Sequence, residues 1–166
     1  MTREIRIRRV RREEWEPVRE LRLRALADAP DAFASTLERE RRLGQAGWID
    51  WIEGWEGATN VMFVAERDEG WIGMALGSRT GDEPEAHLYG MWVEPAWRAR
   101  GVGADLVERV LSWARSWSAR SVILAVTETN TGAATFYEHL GFEDTGEREP
   151  LREGTELRVR MMRRES

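Results

Sequence analysis

The segment from Trp92 to Gly103 constrains the fold most, because it joins a buried strand to a helix through a glycine-containing turn. It reads Trp-Val-Glu-Pro-Ala-Trp-Arg-Ala-Arg-Gly-Val-Gly, so a proline break is followed by an R-x-x-G-x-G turn. Two glycines let backbone amides approach an anion closely, and the first amides of the helix that follows have no intrahelical partner. The dipole of that helix also attracts an anion to the helix N-terminus. The turn therefore predicts a phosphate-binding site.

The residues on either side of this turn predict regular structure. Residues 86–93 form a mostly apolar run that stops at Glu94-Pro95, which is typical of a buried strand ended by proline. From Gly101 to Trp117 apolar residues recur at steps of three and four, which predicts one buried helix face. A second buried strand is predicted at Ser121–Thr127. The order is strand, phosphate turn, helix, strand.

Two better-known glycine loops do not fit these residues. A dinucleotide fingerprint needs a third glycine at position 106, where this chain has Leu106. A nucleoside-triphosphate loop needs Gly-Lys-Ser/Thr, and the chain contains no lysine.

The turn resembles motif A of the GCN5-related N-acetyltransferase (GNAT) family, whose Q/R-x-x-G-x-G/A turn binds the pyrophosphate of acetyl-CoA. Residues Asn130 to Phe142 resemble motif B of the same family, N-x-x-A-x-x-F-Y-x-x-x-G-F, at every fixed place. The two motifs span about residues 86 to 142. The resemblance implies acetyl-CoA as co-substrate, no metal, and a set of cofactor-binding residues. These are Met91, Trp92, Val93, Arg98, Ala99, Arg100, Gly101, Val102, Gly103, Ala104 and Asn130.

The composition fits one domain covering residues 1–166, since 42% of the residues are hydrophobic and no linker-like stretch divides the chain. Without cysteine the chain has no disulfide framework, Cys-based zinc site or thiol nucleophile. An N-terminal arginine cluster at residues 3–12 alternates with Ile5, Ile7 and Val10, and the formal net charge is −5, so we expect no nucleic-acid partner. No long apolar stretch or signal-peptide core is present, so we expect a cytoplasmic protein without a membrane partner.

The predicted elements form an α+β fold of three layers, with a mixed, largely antiparallel sheet flanked by helices, as in GNAT acyl-CoA acyltransferases. Strands are predicted near residues 3–9, 61–66 and 71–78, the last two joined by a hairpin turn at residues 67–70. Helices are predicted at residues 12–27 and, interrupted near 44–47, at 36–55. Two further strands are predicted near residues 142–148 and 156–162.

Acetyl transfer to an amine requires a neutral amine, an amide donor for the oxyanion and a proton for the departing thiolate. The resemblance implies two splayed parallel strands whose open edge offers the amides of Met91, Trp92 and Val93, with Met91 as the oxyanion donor. It implies Tyr137 as the proton donor to the thiolate. Asn130 is predicted to cap the helix of motif B and is a candidate contact to coenzyme A.

His87 is the candidate general base, because it lies where some family members carry a glutamate that deprotonates the amine through water. Glu85 and ordered water are the alternatives. His139 is predicted to be structural or solvated.

The acceptor is not fixed by the sequence. The family places it between the first two helices and the last hairpin, here near Phe33, Trp48, Trp51 and residues 147–154. We expect a primary amine of a small molecule, acetylated by direct attack in a ternary complex. Acetylation of a protein N-terminus or lysine, a non-catalytic acyl-CoA-binding module, and assembly as a homodimer remain open.

Overall fold

A computed structural model describes residues 4–55, 57–79, 81 and 84–166. Its centre is a seven-stranded sheet in the order β1-β2-β3-β4-β5-β7-β6. All neighbouring strands are antiparallel except β4 and β5, which are parallel. The strands are β1 (Arg6–Arg9), β2 (Asn60–Arg67), β3 (Gly70–Arg79), β4 (Glu85–Val93), β5 (Ser121–Thr127), β6 (Glu143–Pro150) and β7 (Arg158–Glu165). The helices are α1 (Trp15–Asp28), α2 (Leu37–Arg41), α3 (Gln45–Gly54), α4 (Val102–Ser116) and α5 (Thr131–His139).

Helices α4 and α5 cover one face of the sheet. The apolar face of α4 packs on side chains such as Phe63, Ala86, Leu88 and Val122, which share one hydrophobic core with it. The buried residues of α4 are Val102, Leu106, Val107, Val110, Leu111, Trp113 and Ala114. Their spacing of three and four residues is the one that the sequence predicted. We call this side the α4 face.

Helices α1, α2 and α3 cover part of the opposite face. Val18, Leu21 and Leu26 of α1 pack with Met62 and Met74 in a second hydrophobic core. Successive side chains of a strand point to opposite faces, so alternate residues of β2, β3 and β4 are divided between the two cores, and the alternation shifts by one residue at the β-bulges. We call this side the α1 face.

The predicted order of elements is confirmed. The hairpin at residues 67–70 is present, with Arg67 opposite Gly70. The break in the second helical region falls between Arg41 and Gln45, so Gly47 lies inside α3 and does not interrupt it. The predicted start of the first strand, Arg3, lies outside the described residues. In the described part of the chain, none of the helices has the length and apolar character to cross a bilayer.

Candidate active site

Strands β4 and β5 pair over three residues only and then diverge. The paired residues are Glu85 with Ser121, Ala86 with Val122 and His87 with Ile123. Beyond them β4 stays paired with β3 as far as Val93, and β5 stays paired with β7 as far as Thr127. The facing edges of β4 and β5 therefore open into a gap that has free backbone groups, as in the predicted splay.

A β-bulge in β4 lies beside this gap. Tyr89 pairs with Leu76 and Trp92 pairs with Met74, so two residues of β4 face one residue of β3. Gly90 has a φ of 56°, which favours glycine, and a Cβ there would lie 2.8 Å from the end of the Leu76 side chain, which would have to move.

The backbone direction after the bulge follows from one hydrogen bond, in which the Glu94 N–H donates to the Ile72 carbonyl of β3 at 2.8 Å. Because N–H groups alternate in direction along a strand, we expect the Trp92 amide on the β3 side as well. The same alternation directs the amides of Met91 and Val93 toward the gap.

The glycine turn leads directly into α4. Gly101 precedes the helix with a φ of 86°, and no side chain caps the helix N-terminus. The first-turn amides of α4, at residues 102–104, are therefore left without a capping side chain, and a Cβ-free Gly101 leaves open space beside them. These features fit a bound pyrophosphate.

Gly103 is also required for helix packing, which the sequence did not indicate. A Cβ at this position would lie 3.2 Å from the Phe136 ring of α5 and 3.6 Å from Val93. The absence of a side chain thus allows α4 and α5 to approach closely, in addition to any approach of an anion.

The Arg98 side chain is turned toward the end of α1. Its Nε donates to the Val93 carbonyl at 2.9 Å, and its Nη2 donates to Asp28 at 2.6 Å. The same oxygen of Asp28 accepts from the Trp92 indole at 2.9 Å. Arg98 therefore holds the turn against β4 and α1. Its neighbour Arg100 lies over the Trp97 ring, 4.9 Å from the centroid.

Tyr137 lies on the α4 face of the sheet. It is buried between Phe136 and Phe142, with ring centroids 5.0 and 5.7 Å away. Burial raises the pKa of the Tyr137 hydroxyl above its ordinary value, so the group keeps its proton at neutral pH. The hydroxyl therefore carries a proton that it can donate, although the raised pKa also makes it a weaker acid than an exposed tyrosine.

The remaining residues of motif B behave as predicted. The Asn130 side chain caps α5 by accepting from the Ala133 N–H at 3.1 Å. His139 is exposed, and its Nδ1 lies 2.8 Å from the Thr135 carbonyl.

His87 lies on the α1 face, opposite to Tyr137. Its neighbours Ala86 and Leu88 belong to the core of the α4 face, so the imidazole points to the other side. The ring stacks on Tyr89 at 5.8 Å between centroids. Burial lowers the pKa of His87 below 6.5, although Glu85 and Glu149 act in the opposite direction. The imidazole is therefore neutral at pH 7 and available to accept a proton.

Glu85 is held by two hydrogen-bond donors. Its Oε2 accepts from the Ser121 hydroxyl at 2.8 Å and from Arg163 Nε at 3.0 Å. Burial acts to raise the pKa of Glu85, but these bonds outweigh it and keep the pKa below its ordinary value. A carboxylate with these partners is a weaker base than the histidine two residues later.

Aromatic rings form a row on the α1 face. The rings of Trp48, Trp51, Trp55 and Tyr89 follow one another with centroids 5.8 to 6.0 Å apart. Only the outer end of this row can meet an acceptor, because Trp48 is fully buried. Phe33 is 5% exposed. Trp48 and Phe33, which the sequence placed near the acceptor, both belong to the hydrophobic core of the α1 face.

A buried ion pair lies below this row and was missed by sequence reasoning. Arg22 of α1 donates from Nε and Nη2 to the two oxygens of Glu40, at 3.0 and 2.7 Å. The guanidinium also lies over the rings of Phe33 and Trp51, about 5 Å from each centroid. Arg22 occupies an inward position of α1. In a chain with 25 arginines, nothing in the sequence marks this one as buried.

A profile of the acetyltransferase (GNAT) family matches residues 13–142. The chain belongs to this family. It is 33% identical over 127 residues to the mycothiol acetyltransferase of Thermobispora bispora, covering 74% of this chain and 40% of that protein. The corresponding enzyme of Thermobifida fusca is 35% identical over 149 residues, which cover 84% and 43% of the two chains. The chain thus spans about two fifths of the length of these curated relatives.

Solved structures of other GNAT proteins share the fold. An acetyltransferase of Streptococcus pneumoniae superposes with a TM-score of 0.83 at 16% identity, covering 98% of this chain and 100% of the other. An acetyltransferase of Salmonella typhimurium, solved with its cofactor acetyl-CoA, gives 0.78 at 19% identity, covering 98% and 94%. Among the residues that the structure describes, no group of three or more His, Asp or Glu side chains is arranged to hold a metal ion.

Proposed function

We propose that this protein transfers an acetyl group from acetyl-CoA to a primary amine of a small molecule, by direct attack in a ternary complex. The observation that carries the proposal is the position of the two candidate catalytic side chains. His87 stands in the last pair of β4 with β5 before the gap, and Tyr137 of α5 lies on the opposite face of the sheet, in the core of the α4 face. A thioester in that gap would have a base on one side and a proton donor on the other.

The cofactor, when bound, supplies an activated acetyl thioester. The uncapped amides of residues 102–104 would hold its pyrophosphate, and the free edge of β4 would hold its pantetheine arm. The amide of Met91 would donate a hydrogen bond to the thioester oxygen as negative charge develops there.

The amine reacts only in its neutral form. Neutral His87 would accept the proton that the amine loses, directly or through one water molecule. As the C–N bond forms and the C–S bond breaks, the Tyr137 hydroxyl would give its proton to the departing sulfur. Its raised pKa, caused by burial, keeps that proton in place until the sulfur carries charge.

A thiol-release assay tests the proposal, with acetyl-CoA and a panel of small amines, amino acids, aminoglycosides and short peptides. Tyr137→Phe should lower turnover about ten- to a thousand-fold, the range of a general acid, while calorimetry shows nearly unchanged affinity for acetyl-CoA. Equal turnover of the variant and the parent would assign Tyr137 to packing. Coenzyme A binding without release of thiol for any member of the panel would favour a non-catalytic acyl-CoA-binding module, and turnover of peptides alone would favour a protein acetyltransferase.

A further inference from the structure

We propose that the acceptor carries a second amino group, protonated when bound, which binds at Glu149 on the face of the sheet that holds the rings of Tyr89 and Trp55. The inference rests on the proposed function and names the class of its substrate, a small diamine or polyamine.

The first observation is the exposure of Tyr89. Of the large hydrophobic side chains in the described part of the chain, it alone is exposed, at 43% of its surface. Its ring stacks on His87 and forms an edge-to-face pair with Trp55 at 6.0 Å between centroids. An exposed aromatic surface next to the candidate base is suited to the apolar and cationic parts of an amine.

The second observation is the place of Glu149 in the sheet. Glu149 of β6 is opposite Val159 of β7, which is opposite Thr127 of β5. Residues opposite one another in a sheet point to the same face. Thr127 points to the α1 face, because its hydroxyl donates to the Asp31 carbonyl beside α1 and its neighbour Val126 belongs to the core of the α4 face. Glu149 therefore shares a face with His87 and Tyr89, and its charge acts to raise the pKa of both.

The third observation is that Glu149 lacks a cationic partner. Within the described residues its carboxylate makes no hydrogen bond or ion pair, and neither the His87 ring nor the Tyr89 hydroxyl makes a hydrogen bond. In the described part of the chain, Glu143 and Glu147 of the same strand also lack an arginine partner, but only Glu149 among the three acts on the pKa of both His87 and Tyr89. Several other carboxylates nearby are neutralised by arginine. Glu85 pairs with Arg163, and Glu128 and Asp144 both pair with Arg148. Negative charge thus remains at the acceptor side in a chain that has 25 arginines.

Glu149 is suited to bind an ammonium group and not the neutral nitrogen that attacks the thioester. A carboxylate beside an amine favours the charged form of that amine, which cannot attack the thioester. An ammonium group that stays protonated gains from the carboxylate and from the faces of the two rings. One molecule that carries both groups would place its neutral amine at His87 and its ammonium at Glu149.

Steady-state kinetics with 1,4-diaminobutane and butylamine test this proposal, because the two probes differ by one ammonium group. At pH 8 the variant Glu149→Gln should raise KM for the diamine about ten-fold and leave KM for butylamine and both kcat values within about two-fold. The effect on KM should shrink as the salt concentration rises, since the site is exposed. Glu143→Gln, the same change at an exposed position at the start of the same strand, should leave all values unchanged. An equal effect of Glu149→Gln on both amines, or none on either, would overturn the proposal.

A binding measurement separates this inference from the proposed function. Calorimetry of 1,4-diaminobutane with the coenzyme A complex requires no chemistry. Diamine binding that Glu149→Gln weakens about ten-fold supports the inference even if neither probe is acetylated, in which case only the proposed function fails for these probes. Diamine binding that is the same for the parent and Glu149→Gln overturns the inference whatever the activity.

The aromatic contribution has its own variant pair. Tyr89→Phe keeps the ring and should bind the diamine as the parent does, whereas Tyr89→Leu removes the ring face and should weaken binding several-fold. Equal affinity of Tyr89→Leu and Tyr89→Phe for the diamine would remove Tyr89 from the proposed site.

Discussion

Asp28 and Arg98 form an ion pair, with 2.6 Å between Oδ2 and Nη2, that ties the end of α1 to the first residue of the glycine turn. The Asp28 oxygen also holds the Trp92 indole, and Arg98 also holds the Val93 carbonyl. These contacts join the helix that borders the acceptor side to the strand and the turn proposed to bind the cofactor. Hydrogen bonding from Trp92, together with the ion pair to Arg98, keeps the pKa of Asp28 below its ordinary value despite some burial.

Asp28→Asn should weaken coenzyme A binding about five-fold, equivalent to about 1 kcal/mol, because the turn loses the charge that orients Arg98. Calorimetry of coenzyme A measures the change. Asp31→Asn, an exposed aspartate just after α1, is the matched control and should leave the affinity unchanged. An affinity of Asp28→Asn equal to that of the parent would mean that the turn keeps its shape without the pair.

Gly101 and Gly103 should respond differently to the same substitution. Gly101 has a left-handed backbone with open space around it, so Gly101→Asn should keep most of the affinity for coenzyme A. Gly103 faces the Phe136 ring, so Gly103→Asn should separate α4 from α5 and lower both the melting temperature and the affinity. Thermal unfolding and calorimetry of the two variants provide the test. Equal melting temperatures would contradict the packing role of Gly103.

Turnover should rise with pH through the pKa of His87, since the base must lose its proton before it can accept one. Burial places the midpoint of that rise below 6.5. Glu149 raises the pKa of His87, so Glu149→Gln should move the acidic limb to lower pH, and Glu143→Gln should not move it. Two amines with different pKa values show which group causes the acidic limb. A limb caused by the substrate shifts with the pKa of the amine, and a limb caused by the enzyme does not. The limb of the enzyme should be absent in His87→Ala, and its persistence there would direct attention to Glu85 or ordered water.

Breaking the buried pair of Arg22 and Glu40 should destabilise the fold strongly. Glu40→Gln leaves an uncompensated buried guanidinium, so we expect a loss of about 3–5 kcal/mol in the free energy of unfolding. The exposed pair of Arg42 and Glu38 is the control, and Glu38→Gln should cost less than about 1 kcal/mol. Urea denaturation measures both values. Similar losses in the two variants would show that the buried pair is compensated by water or by neighbouring groups.

The fold was predictable where periodicity and a local motif agreed. The strand, turn, helix and strand from Glu85 to Thr127 match the predicted bounds within one residue, because steps of three and four, a proline and two glycines mark each boundary. The cap by Asn130 was predictable for the same reason, since the capping bond spans only three residues.

The acceptor side was much less predictable, because its contacts join distant parts of the chain. The residues around Glu149 in the sequence do not indicate that it shares a face of the sheet with His87. That placement follows from the pairing of β6 with β7 and of β7 with β5. Likewise the orientation of Arg98 depends on Asp28, 70 residues earlier. The burial of Trp48 and Phe33 follows from how α1, α2 and α3 pack together, which helical spacing alone does not determine.

The division of the site between the two faces of the sheet bears on how such a protein can change during evolution. The elements that border the proposed acceptor side include α1, α3, the end of β6 and the residues after it, whereas the proposed cofactor contacts come from β4, the glycine turn and α4. Substitutions and insertions in the first group would leave the second group intact. New acceptors could therefore be accommodated without rebuilding the chemistry of the thioester, and the two halves of the site can diverge at different rates.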